Sequence, residues 1–424
     1  MNRQIVIAVV AVSCACASSG TSGSSAPTSE AHVVNSAAKA RIDSTLRAFV
    51  NPRGVAGISA LIYEKGHEAY YGAFGTSDRE ASRPMARNTI VQIYSMTKPI
   101  TGVALMTLYE QGRFQLDEPV GKYIPELANM KVAEGVDASG APILVAPHRA
   151  MTIRDITRHT SGIASDGDNK AVTALLRAAD PFNRNNTLTQ AMQKLGTVPL
   201  WFHPGEKWAY GTSVNVQAAL VERLSGERFD EYVRHHVLDP LGMKDTRYFV
   251  PEDDRGRLAA MYNRSDDGVL TRAPDASALS FNTRRWTYTP GDFGLTSTLD
   301  DYMRFARMLL NGGELDGVRI LKPETVKLMS TSHLDDAVTD RSWLPSKGQV
   351  GFGIDFAVRT RPPKDAAENN GVVGEFFWDG LASTLFWVDP ANQVTAVLFT
   401  QMIPFDKIKL HKGFRDAVYG ASKP

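Results

Sequence analysis

The sequence predicts a two-lobed α/β protein, in which an antiparallel sheet built from both chain ends is flanked by helices and joined by a mainly helical insert. Strand-like segments lie near both ends of the chain, helix-like segments fill the middle, and no polar linker or internal repeat divides the chain after residue 30. This order fits one sheet closed by both ends better than two consecutive domains. We expect residues 31–92 and 305–424 to form the sheet domain and residues 93–304 the helical domain.

The strands near each end are predicted to form hairpins. Ile58 to Tyr63 and Glu68 to Tyr71 flank a turn at Lys65-Gly66. Thr384 to Val388 and Val394 to Thr400 flank a second turn. Helices are predicted over Thr97 to Gln111, Val214 to Leu224, Phe229 to Val237, Asp300 to Leu310 and Phe405 to Tyr419.

The composition is that of a globular protein and excludes several function classes. Hydrophobic residues make up 43% of the chain and charged residues 22%, which predicts an ordered core. Lys and Arg number 47 against 46 Asp and Glu, giving a net charge of +1. Because there is no run of like charges, nucleic acid is not an expected partner. The oligomeric state is not indicated.

The N-terminal residues predict export. Residues 1–17 have the charge, apolar stretch and small-x-small end of a signal peptide, and residues 18–30 resemble a flexible leader. The apolar stretch is shorter than the about 20 residues of a membrane-spanning helix. Cleavage after Ala17 would remove Cys14 and Cys16, the two cysteines of the chain.

Lipidation at Cys14 is the alternative to cleavage and release, because the residues before it form a weak lipoprotein box. We therefore expect an exported protein that is periplasmic, secreted or lipid-anchored.

Metal and cofactor motifs are absent from the sequence. It contains no H-E-x-x-H, C-x-x-C, Walker loop, G-x-G-x-x-G or G-x-S-x-G pattern. His235 and His236 are adjacent in a predicted helix, where neighbours point to different faces, so a shared metal is not expected. No metal or organic cofactor is predicted.

The first candidate catalytic motif is the S-x-x-K pattern of Ser95-Met96-Thr97-Lys98. An apolar segment leads into it and an apolar-periodic helix leads out, so Ser95 lies near a helix N-terminus, where free N–H groups favour a developing oxyanion. Lys98 follows one turn later on the same face and can assist removal of the serine proton. The alternative is an N-cap serine with a solvated lysine. Ser36 to Lys39 also fits the S-x-x-K pattern, on an ordinary amphipathic helix.

Two further segments carry candidate site residues. Tyr210 follows a Pro-Gly turn and precedes a helix. A lysine charge beside a tyrosine depresses the pKa of its phenol, so the phenolate can act as a general base. Trp378-Asp379-Gly380-Leu381 leads into a strand, where the glycine permits close backbone approach and the following N–H is a candidate oxyanion donor. Taken alone, Tyr210 also fits a core aromatic and Gly380 a plain turn.

Together these motifs resemble the serine β-lactamase-like superfamily, and most closely the family VIII carboxylesterases related to class C β-lactamases. The resemblance runs from about Ala37 to Tyr419. It includes family-like signatures at Thr152 to Ile156, His159 to Gly162, Asp239 to Met243 and Gly291 to Thr298.

The resemblance implies a β-lactamase/transpeptidase-like fold and a role for each candidate residue. Ser95 would be the nucleophile, Lys98 and Tyr210 the proton-shuttling pair, and the backbone N–H groups of Ser95 and Leu381 the oxyanion hole.

We predict the substrate from the residues that differ from the class C β-lactamase motifs. Trp378-Asp379-Gly380 stands where class C β-lactamases have Lys-Thr-Gly, whose lysine helps to hold the substrate carboxylate. Tyr210-Gly211-Thr212 stands where they have Tyr-x-Asn, and Thr212 presents no amide. Asp379 also departs from the esterases' Trp-Gly-Gly. Trp378 as a plain aromatic wall is the alternative.

We therefore expect an exported serine carboxylesterase that acts on small, short-acyl esters, with Trp378, Asp379, Gly380 and Thr212 at the substrate. A β-lactamase, a D-amino-acid peptidase or DD-peptidase, and an acyltransferase share the same acyl-enzyme and remain alternatives. A binding or cell-wall-associated protein without turnover is an alternative of a different class.

Overall fold

Strands from the two chain ends are neighbours in one eight-stranded antiparallel sheet of the described residues. The structure is a computed structural model that describes residues 32–165 and 169–420. The strands are β1 Gly57–Glu64, β2 His67–Asp78, β3 Arg83–Pro84, β4 Val91–Gln92, β5 Val132–Val136, β6 Pro142–Val145, β7 Tyr262–Arg264, β8 Leu270–Arg272, β9 Thr296–Ser297, β10 Glu314–Leu315, β11 Val318–Arg319, β12 Val350–Phe352, β13 Ala357–Arg359, β14 Phe376–Asp379, β15 Leu385–Asp389, β16 Val394–Phe399 and β17 Met402–Ile403.

The order in the large sheet is β12-β13-β14-β15-β16-β1-β2-β3, so β1 lies beside β16 near the other end of the chain. Their register runs from Ser59 opposite Phe399 to Glu64 opposite Val394. Both predicted hairpins are present, as β1–β2 and β15–β16. Lys65 and Gly66 have φ of 51° and 81°, as a two-residue hairpin turn requires. The predicted fold class is confirmed.

Helices pack on both faces of this sheet, and most of the described helices come from the middle of the chain. The helices are α1 Ser36–Phe49, α2 Thr97–Glu110, α3 Ile153–Thr157, α4 Lys170–Ala179, α5 Leu188–Leu195, α6 Ser213–Ser225, α7 Phe229–Val233, α8 Asp275–Ala278, α9 Ser280–Thr283, α10 Leu299–Leu310, α11 Pro323–Met329 and α12 Leu410–Tyr419. Short 3₁₀ turns occur at Tyr94–Met96, Val120–Lys122, Pro125–Leu127, Glu252–Arg257 and Leu344–Lys347.

Two neighbouring residues of β15 show that helices cover both faces. Phe386 contacts Tyr302 of α10 with ring centroids 5.0 Å apart, whereas Trp387 contacts Phe414 of α12 at 5.3 Å. Successive strand residues point to opposite faces, so α10 and α12 lie on opposite sides of the sheet. This explains why every residue of β15 and β16 is buried.

Helix α2 is the central helix of the middle part of the chain. Its residues from Thr97 to Leu108 are buried, which is typical of a helix surrounded by protein on all sides. It packs against α6 and α7. Thr97, the first residue of α2, is therefore buried in the core. The turn that precedes it lies beside β14 of the large sheet.

The structure differs from two of the predicted helices. The C-terminal helix begins at Leu410 rather than Phe405, because Asp406 and Lys409 adopt left-handed φ of 41° and 55° and the Asp406 N–H donates to Ser383 Oγ. The helix predicted over Phe229 to Val237 is α7 followed by a π turn, Arg234–Leu238.

The signal peptide and the leader lie outside the described residues. From Val33 onward the chain forms one compact unit, and the boundaries expected between sheet and helical domains stay predictions. No helix in the described ranges is both long and apolar enough to cross a bilayer.

Candidate active site

Ser95 lies in the 3₁₀ turn immediately before α2. Strand β4 enters this turn and is held by pairing with β9. Tyr94 adopts a left-handed φ of 45°, which is rare for a tyrosine and bends the chain sharply just before the serine. The turn places Ser95 on the wall of a cavity.

Lys98 is buried within α2, with 2% of its surface exposed. Its Nζ donates to Ser95 Oγ at 3.1 Å and to the backbone carbonyl of Asp292 at 2.8 Å. The spacing of three residues places both side chains on one face, as predicted. Lys98 is thus in direct contact with the hydroxyl that it would help to deprotonate.

The carbonyl that holds Lys98 belongs to a loop fixed between two helices. The Gly291 N–H donates to Asn215 of α6 at 2.9 Å, and the Gly291 carbonyl accepts from Thr101 of α2 at 2.7 Å. Asp292 follows directly. Sequence reasoning marked this loop as a family signature but assigned it no role; its position orients the lysine.

Tyr210 approaches the same point from the segment before α6. The Ala209 N–H donates to the His159 carbonyl at 3.0 Å, and the His159 ring lies 4.7 Å from the Tyr210 ring. Lys98 Nζ lies 4.5 Å from the centre of the Tyr210 ring. Tyr210 is 115 residues from Ser95 in sequence, yet both side chains lie beside Lys98.

Burial raises the pKa of the Tyr210 phenol, and this effect exceeds the opposing influence of the Lys98 charge and of hydrogen bonds with Lys98, Ser95 and Trp378. The sequence-based expectation was that the lysine would depress this pKa. The expected influence is present but smaller than desolvation, so the phenol keeps its proton at neutral pH.

Trp378 contributes more than an aromatic wall. Its indole Nε1–H donates to the Tyr210 Oη at 3.2 Å, and the two rings lie 5.3 Å apart. A donor to the phenol oxygen favours the phenolate. Sequence reasoning gave no indication of this bond.

The cavity beside Ser95 has a volume of about 340 Å³. Its walls are mainly aromatic, with a small polar group at one side. The lining residues are Ser95, Tyr210, Trp343, Ser346, Lys347, Trp378, Asp379, Leu381 and Phe405. Trp343, Ser346, Lys347 and Phe405 were not predicted.

The backbone N–H groups of Ser95 and Leu381 are available for an oxyanion. Neither donates to a protein acceptor within the described chain. Gly380 permits the close approach, since a Cβ there would overlap the Ile93 carbonyl and the Thr384 hydroxyl. The end of β14 therefore lies directly against the turn that carries Ser95.

Thr212 does not line the cavity, and its hydroxyl donates to the Ala164 carbonyl at 3.1 Å. Its substrate contact stays a prediction. The second S-x-x-K match lies at the start of α1, where Ser36 and Lys39 are exposed. It takes no part in the site.

One group of described side chains has the donor atoms of a metal site. Atoms of Glu134, His148 and His203 lie within 4.8 Å of one another. Both ring nitrogens of His203 are already engaged: Nδ1 accepts from the His148 N–H at 3.2 Å, and Nε2 lies 2.6 Å from Glu134. Neutral His203 thus carries its proton on Nε2, which makes this arrangement a hydrogen-bonded network.

His235 and His236 do not point apart, contrary to the prediction for neighbours in an α-helix. Both rings contact Glu227, each at 3.0 Å. The π turn that they occupy accounts for the difference, because it changes the angle between successive side chains.

Comparison with known proteins identifies the family of this chain. The model of the Beta-lactamase family matches residues 42–409. Protein Rv1367c of Mycobacterium tuberculosis is 32% identical over 358 residues, covering 82% of this chain and 86% of that protein. Esterase EstB of Burkholderia gladioli is 29% identical over 402 residues, covering 90% of this chain and 95% of EstB.

Among solved structures, the chain is similar to EstCE1, described as a hydrolase with promiscuous acyltransferase activity. The TM-score is 0.74 at 24% identity, over 91% of this chain and 99% of that one. At this identity the likeness shows a shared fold.

Proposed function

This chain belongs to the Beta-lactamase family, and its likeness to esterase EstB confirms the predicted resemblance to the family VIII esterases. From that premise we propose that it is an exported serine carboxylesterase for small, short-acyl esters. Family membership and the likeness to EstB make it a serine hydrolase of carboxylic esters that works through an acyl-enzyme. The observation that carries the proposal is the contact of Lys98 Nζ with Ser95 Oγ beside Tyr210.

Acylation starts from the enzyme molecules in which Tyr210 has lost its proton. Ser95 Oγ attacks the carbonyl carbon of the ester, and the Ser95 proton passes to the Lys98–Tyr210 pair. Lys98 Nζ lies 4.5 Å from the centre of the Tyr210 ring, close enough for the two side chains to share this proton. Tyr210 then returns the proton to the leaving alcohol. The carbonyl of Asp292 holds the lysine in place throughout.

The negative charge that forms on the substrate oxygen is stabilised by the N–H groups of Ser95 and Leu381. Removing one donor from such a hole typically costs about a hundred- to thousand-fold in rate. Water activated by the same pair releases the acid and restores Ser95.

The aromatic cavity supports neutral esters as substrates. Trp343, Trp378 and Phe405 provide apolar surface around Ser95. Lys347 is the cation of the lining set and is paired with Asp379. The wall thus offers a small neutral acyl group apolar contact and leaves a β-lactam carboxylate without an unpaired cation.

Export is proposed from residues 1–17 alone. Mass spectrometry of the protein isolated from the envelope fraction of its host tests it. A mature N-terminus at Ser18 supports release, and a lipid on Cys14 supports anchoring.

The proposed activity is tested by kcat/KM for p-nitrophenyl butyrate and nitrocefin, measured on the mature chain and on Ser95→Ala. Ester turnover far above nitrocefin turnover, abolished in Ser95→Ala, is expected. A preference for nitrocefin would refute the assignment of substrate. Added butanol separates hydrolysis from acyl transfer, since butyl butyrate forms only if the acyl-enzyme accepts an alcohol.

A further inference from the structure

The cavity wall contains a buried ion pair that takes no part in the proposed proton transfer. Lys347 Nζ contacts a carboxylate oxygen of Asp379, and their side chains are 8% and 10% exposed. Both residues line the same cavity as Ser95. A fixed positive and a fixed negative charge therefore lie where the substrate binds.

The pair joins two separate parts of the wall. Asp379 ends β14 and is paired with Leu385 across the sheet, which fixes the backbone from which its carboxylate extends. Lys347 ends the 3₁₀ turn Leu344–Lys347. Because the two residues are 32 positions apart, the contact also holds these two segments together.

The ammonium of Lys347 is enclosed by aromatic rings. Its Nζ lies 4.2 Å from the ring centre of Phe405, 5.5 Å from Trp343 and 5.7 Å from Trp378. In the described part of the chain, its hydrogen bond is to Asp379. An ammonium has three donors, so two remain for a substrate atom in the cavity.

We propose that the Lys347–Asp379 pair determines the charge of the substrate. Asp379 neutralises Lys347, so the cavity accepts neutral esters whose oxygen atoms can accept from the ammonium, and it disfavours esters that carry a carboxylate. Without the Asp379 charge, Lys347 becomes a receptor for such a carboxylate. The inference rests on the proposed esterase function.

The test compares two p-nitrophenyl esters of the same diacid, the methyl adipate and the hydrogen adipate. The first ends in a neutral methyl ester and the second in a carboxylate. The measured quantity is the ratio of kcat/KM for the anionic ester to that for the neutral ester. In Asp379→Asn this ratio is expected to rise by about 10- to 100-fold, the range for a hydrogen bond to a charged group.

Three further variants define the cause. Lys347→Met leaves the Asp379 carboxylate unpaired, so the ratio is expected to fall below that of the wild type. The double variant Lys347→Met/Asp379→Asn should lose the rise seen in Asp379→Asn. Asp316→Asn removes a carboxylate from an exposed ion pair with Arg304, outside the cavity, and serves as the matched control.

A ratio in Asp379→Asn within about twofold of the control would overturn the inference, as would a rise that persists in the double variant. If Asp379→Asn does not fold, the test rests on Lys347→Met. An unchanged ratio of anionic to neutral ester in that variant would also overturn the inference. Labelling of Ser95 by a neutral fluorophosphonate separates the two proposals. Labelling without ester turnover refutes the esterase function, whereas turnover with an unchanged ratio refutes only the role of the pair.

Discussion

The hydrogen bond from Trp378 to Tyr210 allows the proposed proton pathway to be perturbed without replacing Lys98 or Tyr210. Trp378→Phe keeps an aromatic ring in the cavity wall and removes the indole N–H. The lost contact is a 3.2 Å donation to the Tyr210 Oη. Because this donor favours the phenolate, its removal should raise the pKa of Tyr210 further.

The size of the effect follows from the distance and from the charge on the oxygen. A hydrogen bond of this kind contributes about 1 kcal/mol to a neutral acceptor and about 1.5–3 kcal/mol to a charged one. Only the difference between the two states changes the rate, so kcat/KM should fall by about tenfold, equivalent to about 1.4 kcal/mol.

The assay is the dependence of kcat/KM on pH for p-nitrophenyl butyrate. We expect the alkaline rise in rate to move to higher pH in Trp378→Phe, with KM changed less than kcat. Trp343→Phe is the control, since it shortens another indole of the same wall whose ring lies 5.2 Å from Tyr210. Equal losses and equal pH profiles in the two variants would refute the role of the hydrogen bond.

Further predictions concern pH, backbone approach and stability. Burial raises the pKa of Tyr210, and the proposed active form of the Lys98–Tyr210 pair is the deprotonated one. The value of kcat/KM should therefore rise about tenfold per pH unit on the acidic side of the Tyr210 pKa. A flat profile in a stopped assay between pH 6 and 10 would contradict this. Gly380→Ala would push β14 away from the Ile93 carbonyl. It should lower kcat by about a hundredfold, because the Leu381 N–H is then lost as an oxyanion donor. Measurement of kcat together with Tm tests this, and a wild-type kcat would disprove the close approach. Burial alone would raise the pKa of Asp155, but the hydrogen bond from Arg149 is foremost among the contacts that hold it below its usual range. Asp155 therefore stabilises the fold above about pH 4, the ordinary carboxyl range, and this contribution is lost as pH falls through the lower folded pKa. Asp155→Asn should thus lower the free energy of unfolding by about 2 kcal/mol at pH 7, a value reduced because Arg149 is partly exposed. The variant should also lack the acid-dependent loss of stability. Urea unfolding at pH 7 and pH 3 measures both effects, and an unchanged urea midpoint at pH 7 would contradict the prediction.

Local patterns in the sequence were sufficient to predict the elements that position Ser95, the proposed nucleophile. Alternation of apolar residues and turn residues predicts both hairpins, and the spacing of Ser95 and Lys98 predicts their contact. The C-terminal helix was predicted five residues too long, because Lys409 adopts a left-handed φ of 55° that propensity does not indicate.

Other parts of the site depend on tertiary contacts that no local pattern contains. Lys347 and Phe405 are brought to Ser95 by segments distant in sequence, and neither belongs to a motif. The net rise in the pKa of Tyr210 depends on how deeply neighbouring rings bury the phenol, whereas the sequence indicated only the charge beside it.

The central claim is that Ser95 carries the acyl group during ester hydrolysis. We would quench a reaction of the mature chain with p-nitrophenyl butyrate within milliseconds, digest the protein and locate the added mass by peptide sequencing. The account predicts a butyryl group on Ser95 that disappears as substrate is exhausted and is absent from Ser95→Ala. Ester turnover with the adduct on another residue, or with full activity in Ser95→Ala, would contradict it.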